Sequence, residues 1–226
     1  MITNKDQEEL FTLISKLLTH DVTCYAFGGN AMMYYGYKDE TKDVDILFET
    51  VEERTEFGNI LKELGYTETS PITIYIPEKL KDRRKPLMFK HDNGGRFDLF
   101  VEKIFQTLLS PQMKEDLFAV HEFKGKHTLL VKVLHKEHIV LLKSVTNREN
   151  DFRDIRTIIS QDKDFNWQYL IEEVSWQYEH GDGWVLLDVE KMMQELKEYV
   201  FIPKKWFKEL YGIGKGKEKR QAYSKK

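Results

Sequence analysis

A six-residue apolar-rich run, Val22-Thr23-Cys24-Tyr25-Ala26-Phe27, stops abruptly at Gly28-Gly29-Asn30, and Ala31-Met32-Met33-Tyr34-Tyr35 then resumes with helical character up to Gly36. Valine, tyrosine and phenylalanine suit a half-buried pleated strand. Paired glycines end regular structure and let the backbone come close to a neighbour. The chain must therefore fold around a sheet in which a buried strand turns straight into a short helix. The next strand, Val44 to Phe48, lies in Thr41-Lys42-Asp43-Val44-Asp45-Ile46-Leu47-Phe48, so two aspartates one residue apart introduce an apolar strand.

The surrounding pattern supplies the rest of the sheet. Thr3 or Asn4 caps a helix to about His20, with Leu10, Phe11, Leu13, Ile14, Leu17 and Leu18 at helical spacing. An amphipathic helix from Val51 to Leu64 is stopped by Gly65, and Ile72 to Ile76 reads as extended. Leu87 to Lys90 and Arg96 to Val101 flank the turn-rich His91-Asp92-Asn93-Gly94-Gly95, as in a hairpin. A second strand pair is predicted at Leu117 to Phe123 and Thr128 to Val133, joined by Lys124-Gly125-Lys126. From His135 onward the period becomes helical, with segments near 136–147, 151–160, 167–178, 189–199 and 203–211. Strands followed by helices predict an α+β fold. The expected parts are a sheet domain over 1–133, a helical region over 134–211 and a basic flexible tail over 212–226.

With 226 residues the chain can bury a core of its own, and 41% hydrophobic with 32% charged residues places it among globular proteins. No apolar run reaches the length of a membrane span. The acidic, polar start, Met1 to Leu10, lacks the order of a secretory signal, so a cytoplasmic protein without a membrane partner is expected. Cys24, the one cysteine, reads as a small buried hydrophobe. From Lys204 on, nine basic residues face Glu209 and Glu218, a net of +7, which leaves −10 on residues 1–203. Such a tail reads either as a solvated terminus or as a contact for nucleic-acid phosphates.

The chemistry lies in the carboxylates. Alternation along a strand puts Asp43 and Asp45 on one face and Val44 and Ile46 on the other. Two adjacent carboxylates repel, and a divalent cation such as magnesium, which binds through one or two carboxylates plus substrate phosphates, relieves that repulsion. With 15 aspartates, one Asp-x-Asp is expected by chance in such a chain, and Asp162-Lys163-Asp164 is a second instance, read as a solvated linker. Three further features separate the first pair from chance. Gly28-Gly29 exposes backbone N–H groups at a helix start. Asp98, between Phe97 and Leu99, is an acid in an apolar strand and needs a cation, either a metal or a salt bridge to Arg96 or Lys103. Lys143, amid Leu141, Leu142 and Val145, either snorkels or offers a point charge to a triphosphate, held by Asp154.

Jointly these residues resemble the minimal nucleotidyltransferases of the DNA polymerase β-like superfamily, and most of all their abortive-infection toxin type. The shared pattern is a glycine pair, a spacer, Asp-x-Asp and a later acidic residue, matched by Gly28-Gly29, Asp43-Val44-Asp45 and Asp98. A downstream lysine, an arginine and paired aspartates are matched by Lys143, Arg148, Asp151 and Asp154. Asn30 stands where many transferring members carry serine or threonine. The resemblance covers residues of about 25 to 160. It implies a mixed sheet flanked by helices and a transfer of a nucleoside monophosphate from a nucleoside triphosphate. Asp43, Asp45 and Asp98 would hold Mg2+, Lys143 would join them in catalysis, and Gly28, Gly29, Asn30, Lys143 and Asp154 would hold the nucleotide. The implied acceptor is a transfer RNA or a protein hydroxyl, and the implied partner an antitoxin. A non-catalytic nucleotide-binding or partner-binding module and a small-molecule nucleotidylating enzyme are the competing readings.

Other features are given plainer readings. Tyr211-Gly212-Ile213-Gly214-Lys215-Gly216-Lys217 lacks the strand and apolar helix that frame a phosphate loop. His135 and His138 lack zinc-ligand companions and are expected at the surface. Trp167, Trp176, Trp184 and Trp206 suit helix packing better than base stacking. The basic loop Lys79, Lys81, Arg83, Arg84 and Lys85 is either solvated or a clasp for phosphates.

Overall fold

A computed structural model of the chain describes residues 1–69, 82–92, 94–146 and 148–224. The extended piece expected at Ile72 to Ile76, together with Lys79 and Lys81 of the basic loop, lies outside the described residues. Two compact units are present: Met1–Ile104 with Met113–His135, and Phe105–Gln112 with Lys136–Lys226. No helix among the described residues is long and apolar enough to cross a membrane.

The first unit begins with β1 (Ile2–Thr3) and α1 (Asn4–Leu17). Thr3 and Asp6 form a reciprocal capping box at the start of α1, which satisfies two backbone donors that a helix end otherwise leaves open. Phe11, Ile14 and Leu18 are buried from this segment, whereas Leu13 and Leu17 face solvent. Then follow β2 (Val22–Phe27), α2 (Gly28–Tyr34), β3 (Glu40–Thr41), β4 (Asp43–Phe48) and α3 (Val51–Glu63), the last capped by Thr50. β5 (Thr67–Thr69), β6 (Leu87–Lys90), β7 (Arg96–Val101), β8 (Leu117–Lys124) and β9 (Thr128–Leu134) follow, and with β2 and β4 they form the main path of the sheet.

The strand order is β8-β9-β2-β4-β7-β6-β5, with β9–β2 and β4–β7 parallel and the other neighbours antiparallel. This is a mixed sheet flanked by helices, the α+β architecture expected. β4 and β7 lie in the middle of the sheet and share one burial pattern. Val44, Ile46 and Phe48, and beside them Phe97, Leu99 and Val101, are almost wholly buried. Their face packs on α3, where Phe57 meets Phe48 and Phe97 edge to face. Three large aromatics here each remove on the order of 150–250 Å2 from water, so this layer anchors the strands that carry the aspartates.

The second unit is helical: α4 (Lys136–Ser144), α5 (Glu149–Gln161), α6 (Trp167–His180), α7 (Val185–Leu196) and α8 (Lys204–Ser224). Phe105–Gln112, expected with the sheet, belongs to this unit instead. There Leu108 exchanges backbone hydrogen bonds with the Gln177 side chain on α6. The stretch 212–224, expected as a flexible tail, is helical and continues α8. His138, expected at the surface, is fully buried against Tyr169, since α4 is buried from Glu137 to Ser144.

Candidate functional site

Parallel pairing of β4 with β7 puts Asp45 directly beside Asp98 and Asp43 directly beside Arg96. Side chains alternate along both strands, so all four project from the face opposite α3. Neighbouring strands lie about 4.8 Å apart, close enough for like charges in register to repel. The structure answers with Arg96. Its Nη2 donates to Asp43 Oδ2 at 2.5 Å and to Asp98 Oδ2 at 2.9 Å. The salt bridge to Arg96, one of the two cation choices for Asp98, is thus the contact present. Asp98 is the more enclosed of the two acids, with 17% of its side chain exposed against 32% for Asp43.

The glycine pair acts through its lack of side chains. Gly28 takes φ +63°, a left-handed conformation that suits glycine. A Cβ there would come within 2.1 Å of Asp45 Oδ2, and one on Gly29 within 2.3 Å of Thr41 Oγ1. The Asp45 carboxylate therefore lies against bare backbone at the β2–α2 corner. Asn30, fully buried, accepts the backbone N–H of Asp45 on Oδ1 at 3.1 Å, while its Nδ2 is buried without a partner among the described residues. Thr41 donates its hydroxyl to the backbone carbonyl of Asp43 at 3.1 Å. Gly28, Asn30 and Thr41 thus fix the start of β4 from one side, and Arg96 holds its first aspartate from β7.

The remaining expected residues belong to the second unit. Lys143, on α4, is buried and donates to Asp151 Oδ1 at 2.9 Å and to Asp154 Oδ2 at 2.6 Å. Asp151 also accepts from Thr146 and from Arg148 Nε, both at 2.6 Å. Burial alone would raise the Asp151 carboxyl, but Lys143, Thr146 and Arg148 together hold it below its ordinary range. Burial likewise would lower the Lys143 ammonium, and Asp154 and Asp151 reverse that, so it is raised and stays charged. Two of the three ammonium donors are spent on these acids. Lys143, Arg148 and Lys191 also line a cavity of about 240 Å3 together with Asp188 and Glu195.

The described part of the basic loop is engaged locally. Arg54 on α3 donates to the carbonyls of Arg83 and Lys85, Arg83 pairs with Glu52, and Arg84 pairs with Glu102. Thr41 is a site residue that sequence reasoning did not place, and for Arg96 it gave the bridge to Asp98 but not the one to Asp43. Arg96 had a readable signal, since its position two before Asp98 on a strand puts both on one face.

Whether the acids suit a divalent ion follows from the donor set. Three carboxylates on one face are hard oxygen donors of the kind that binds magnesium, and two of them with substrate phosphates suffice. Among the described residues, no trio of histidine, cysteine, aspartate or glutamate converges closely enough to hold a metal by itself. Asp43 and Asp98 are drawn onto the Arg96 guanidinium, which stands in as the cation.

No protein-family model matches the chain, and no curated protein sequence matches it either. Among solved structures it is similar to a lincosamide antibiotic adenylyltransferase with lincomycin bound, at 19% identity and a TM-score of 0.39 over 62% of this chain and 87% of that one. It is also similar to the apo form of a CCA-adding enzyme, at 15% identity and a TM-score of 0.32 over 82% of this chain. The match spans half the length of that CCA-adding enzyme. By their names, the first is an adenylyltransferase and the second adds CCA.

Proposed function

We propose that the chain is a nucleotidyltransferase that moves a nucleoside monophosphate from a nucleoside triphosphate to an acceptor hydroxyl and releases pyrophosphate. The observation that carries this reading is the in-register pair Asp45 and Asp98, on one face with Asp43 and cradled by Gly28. Asp43 and Asp45 would hold Mg2+, with Asp98 completing the set. When bound, the ion supplies charge neutralisation at the α-phosphate and orients attacking and leaving oxygens.

The acceptor oxygen forms a bond to the α-phosphorus as the bond from that phosphorus to the bridging oxygen breaks, and pyrophosphate departs with the electron pair. Asp98, the more enclosed acid, takes the acceptor's proton. The bare backbone of Gly28 seats the Asp45 carboxylate, and Asn30 keeps Asp45 in place through its N–H. In the second unit, the third N–H of Lys143, on the wall of that unit's own cavity, is a donor we assign to a phosphate, with Asp154 orienting it. The acceptor we favour is a transfer RNA or a protein hydroxyl, which would suit a cytoplasmic toxin paired with an antitoxin.

The test uses α-labelled triphosphates, Mg2+ and total RNA or lysate protein, with wild type beside Asp45→Asn. Label on an acceptor with wild type and none with the variant is the expected result; equal labelling by both would sink the assignment. The Arg96 bridge favours one second reading, a nucleotide-binding or partner-binding module without turnover. Calorimetry separates the two, because that module would bind triphosphate while releasing no pyrophosphate with any acceptor.

A further inference from the structure

Arg96 grips the acids poorly for a permanent structural arginine. A guanidinium is strongest when its planar fork offers two parallel N–H bonds to one carboxylate. Here a single nitrogen, Nη2, is divided between Asp43 and Asp98, and Nε is buried with no hydrogen-bond partner among the described residues. An unmet buried donor is a standing cost. The contact also lies on the face opposite α3, with 28% of the Arg96 side chain exposed, so the side chain can move without opening the aromatic layer on α3. One Arg96 nitrogen thus serves two carboxylates, Asp43 and Asp98, and a doubly charged ion matches such a pair better than the guanidinium does.

We infer that Arg96 is a resident counter-cation, bridging Asp43 and Asp98 until a divalent cation displaces it, and that it thereby sets the metal affinity of this face. The inference rests on the carboxylate face being the metal site of the proposed transferase. It gives Arg96 two effects. Without metal it holds the acids together and stabilises the central strands. With metal it is a competitor that must move, so only a sufficient concentration of the ion switches the site on.

The test is Mn2+ binding to the full chain, followed by calorimetry and by the paramagnetic signal of free Mn2+. Wild type is compared with Arg96→Met, Arg96→Lys and Asp45→Asn, with thermal melts of each in the presence and absence of Mn2+. Arg96→Met should bind Mn2+ about tenfold or more tightly than wild type, melt lower without metal and gain more from it. Arg96→Lys, which keeps the charge, should fall between the two. Equal or weaker binding by Arg96→Met, with binding by wild type that Asp45→Asn abolishes, would overturn the role of Arg96 and leave the metal site standing. No binding by either wild type or Arg96→Met, with or without a non-hydrolysable nucleoside triphosphate, would overturn the metal site and the inference with it. Should Arg96→Met fail to fold without metal, its refolding on addition of Mn2+ supports the inference, and failure to refold refutes it.

Discussion

Gly28→Ala is the perturbation whose outcome the geometry defines most sharply. The added Cβ would lie 2.1 Å from Asp45 Oδ2 and 2.9 Å from Asp45 Cγ, on a backbone at φ +63°. A non-glycine residue in the left-handed region costs roughly 1–2 kcal/mol. Pushing the Asp45 side chain off its rotamer adds about 0.5–1.5 kcal/mol. The expected loss is about 2–3 kcal/mol, or a Tm lower by roughly 5–10 °C for a chain of this size. Gly36→Ala is the matched control, since Gly36 has φ +75° and no atom lies within 4 Å of its added Cβ. That variant should show the backbone cost alone. Thermal melts measure the stability of both, and Mn2+ binding with nucleotide transfer measures the site. Displacing Asp45 by about 1 Å should cost on the order of 100-fold in transfer, while Gly36→Ala transfers as wild type does. If Gly28→Ala matched Gly36→Ala in metal binding and transfer, the claim that bare backbone is needed to seat Asp45 would be wrong.

Three further outcomes follow from the pairing and burial of charged groups. Lys143→Met leaves Asp151 and Asp154 without their ammonium, and urea unfolding should show a loss of about 3–5 kcal/mol. The Asp151 carboxyl is held below its ordinary range, so its stabilisation is complete above the unfolded carboxyl's pKa and is lost as pH falls through the folded value. Tm measured from pH 6 downward should therefore fall less steeply for Asp151→Asn than for wild type; parallel curves would refute the coupling. Burial pushes the Cys24 thiol well above its normal range, so native protein should react with iodoacetamide far more slowly than unfolded protein.

The residues of the sheet face were legible because a strand's period is fixed. Asp43 and Asp45 had to share a face, and Arg96 and Asp98 likewise. What pairs with what was not legible, since the parallel register of β4 and β7 is set by chain segments some fifty residues apart, as in Asp45 beside Asp98. For the same reason the need for Gly28 could be read only as a turn. Its contact with Asp45 exists because β2 and β4 are antiparallel neighbours with Phe27 opposite Asp45. His138 was misplaced because a polar residue beside Glu137 suggests a wet face. In fact α4 is enclosed throughout, and buried Glu137 accepts the backbone N–H of Asn166. Phe105–Gln112 joins the helical unit through hydrogen bonds to Gln177, a partner about seventy positions away that no local pattern announces.

The measurement closest to the central claim is pyrophosphate release, followed with Mg2+, each nucleoside triphosphate and an acceptor pool, for wild type, Asp45→Asn and Asp98→Asn. The account predicts release by wild type that matches nucleotide transferred to acceptor, with both variants at background. Release that persists in Asp45→Asn and Asp98→Asn would place the chemistry elsewhere, and triphosphate binding by wild type without release would contradict catalysis by this face.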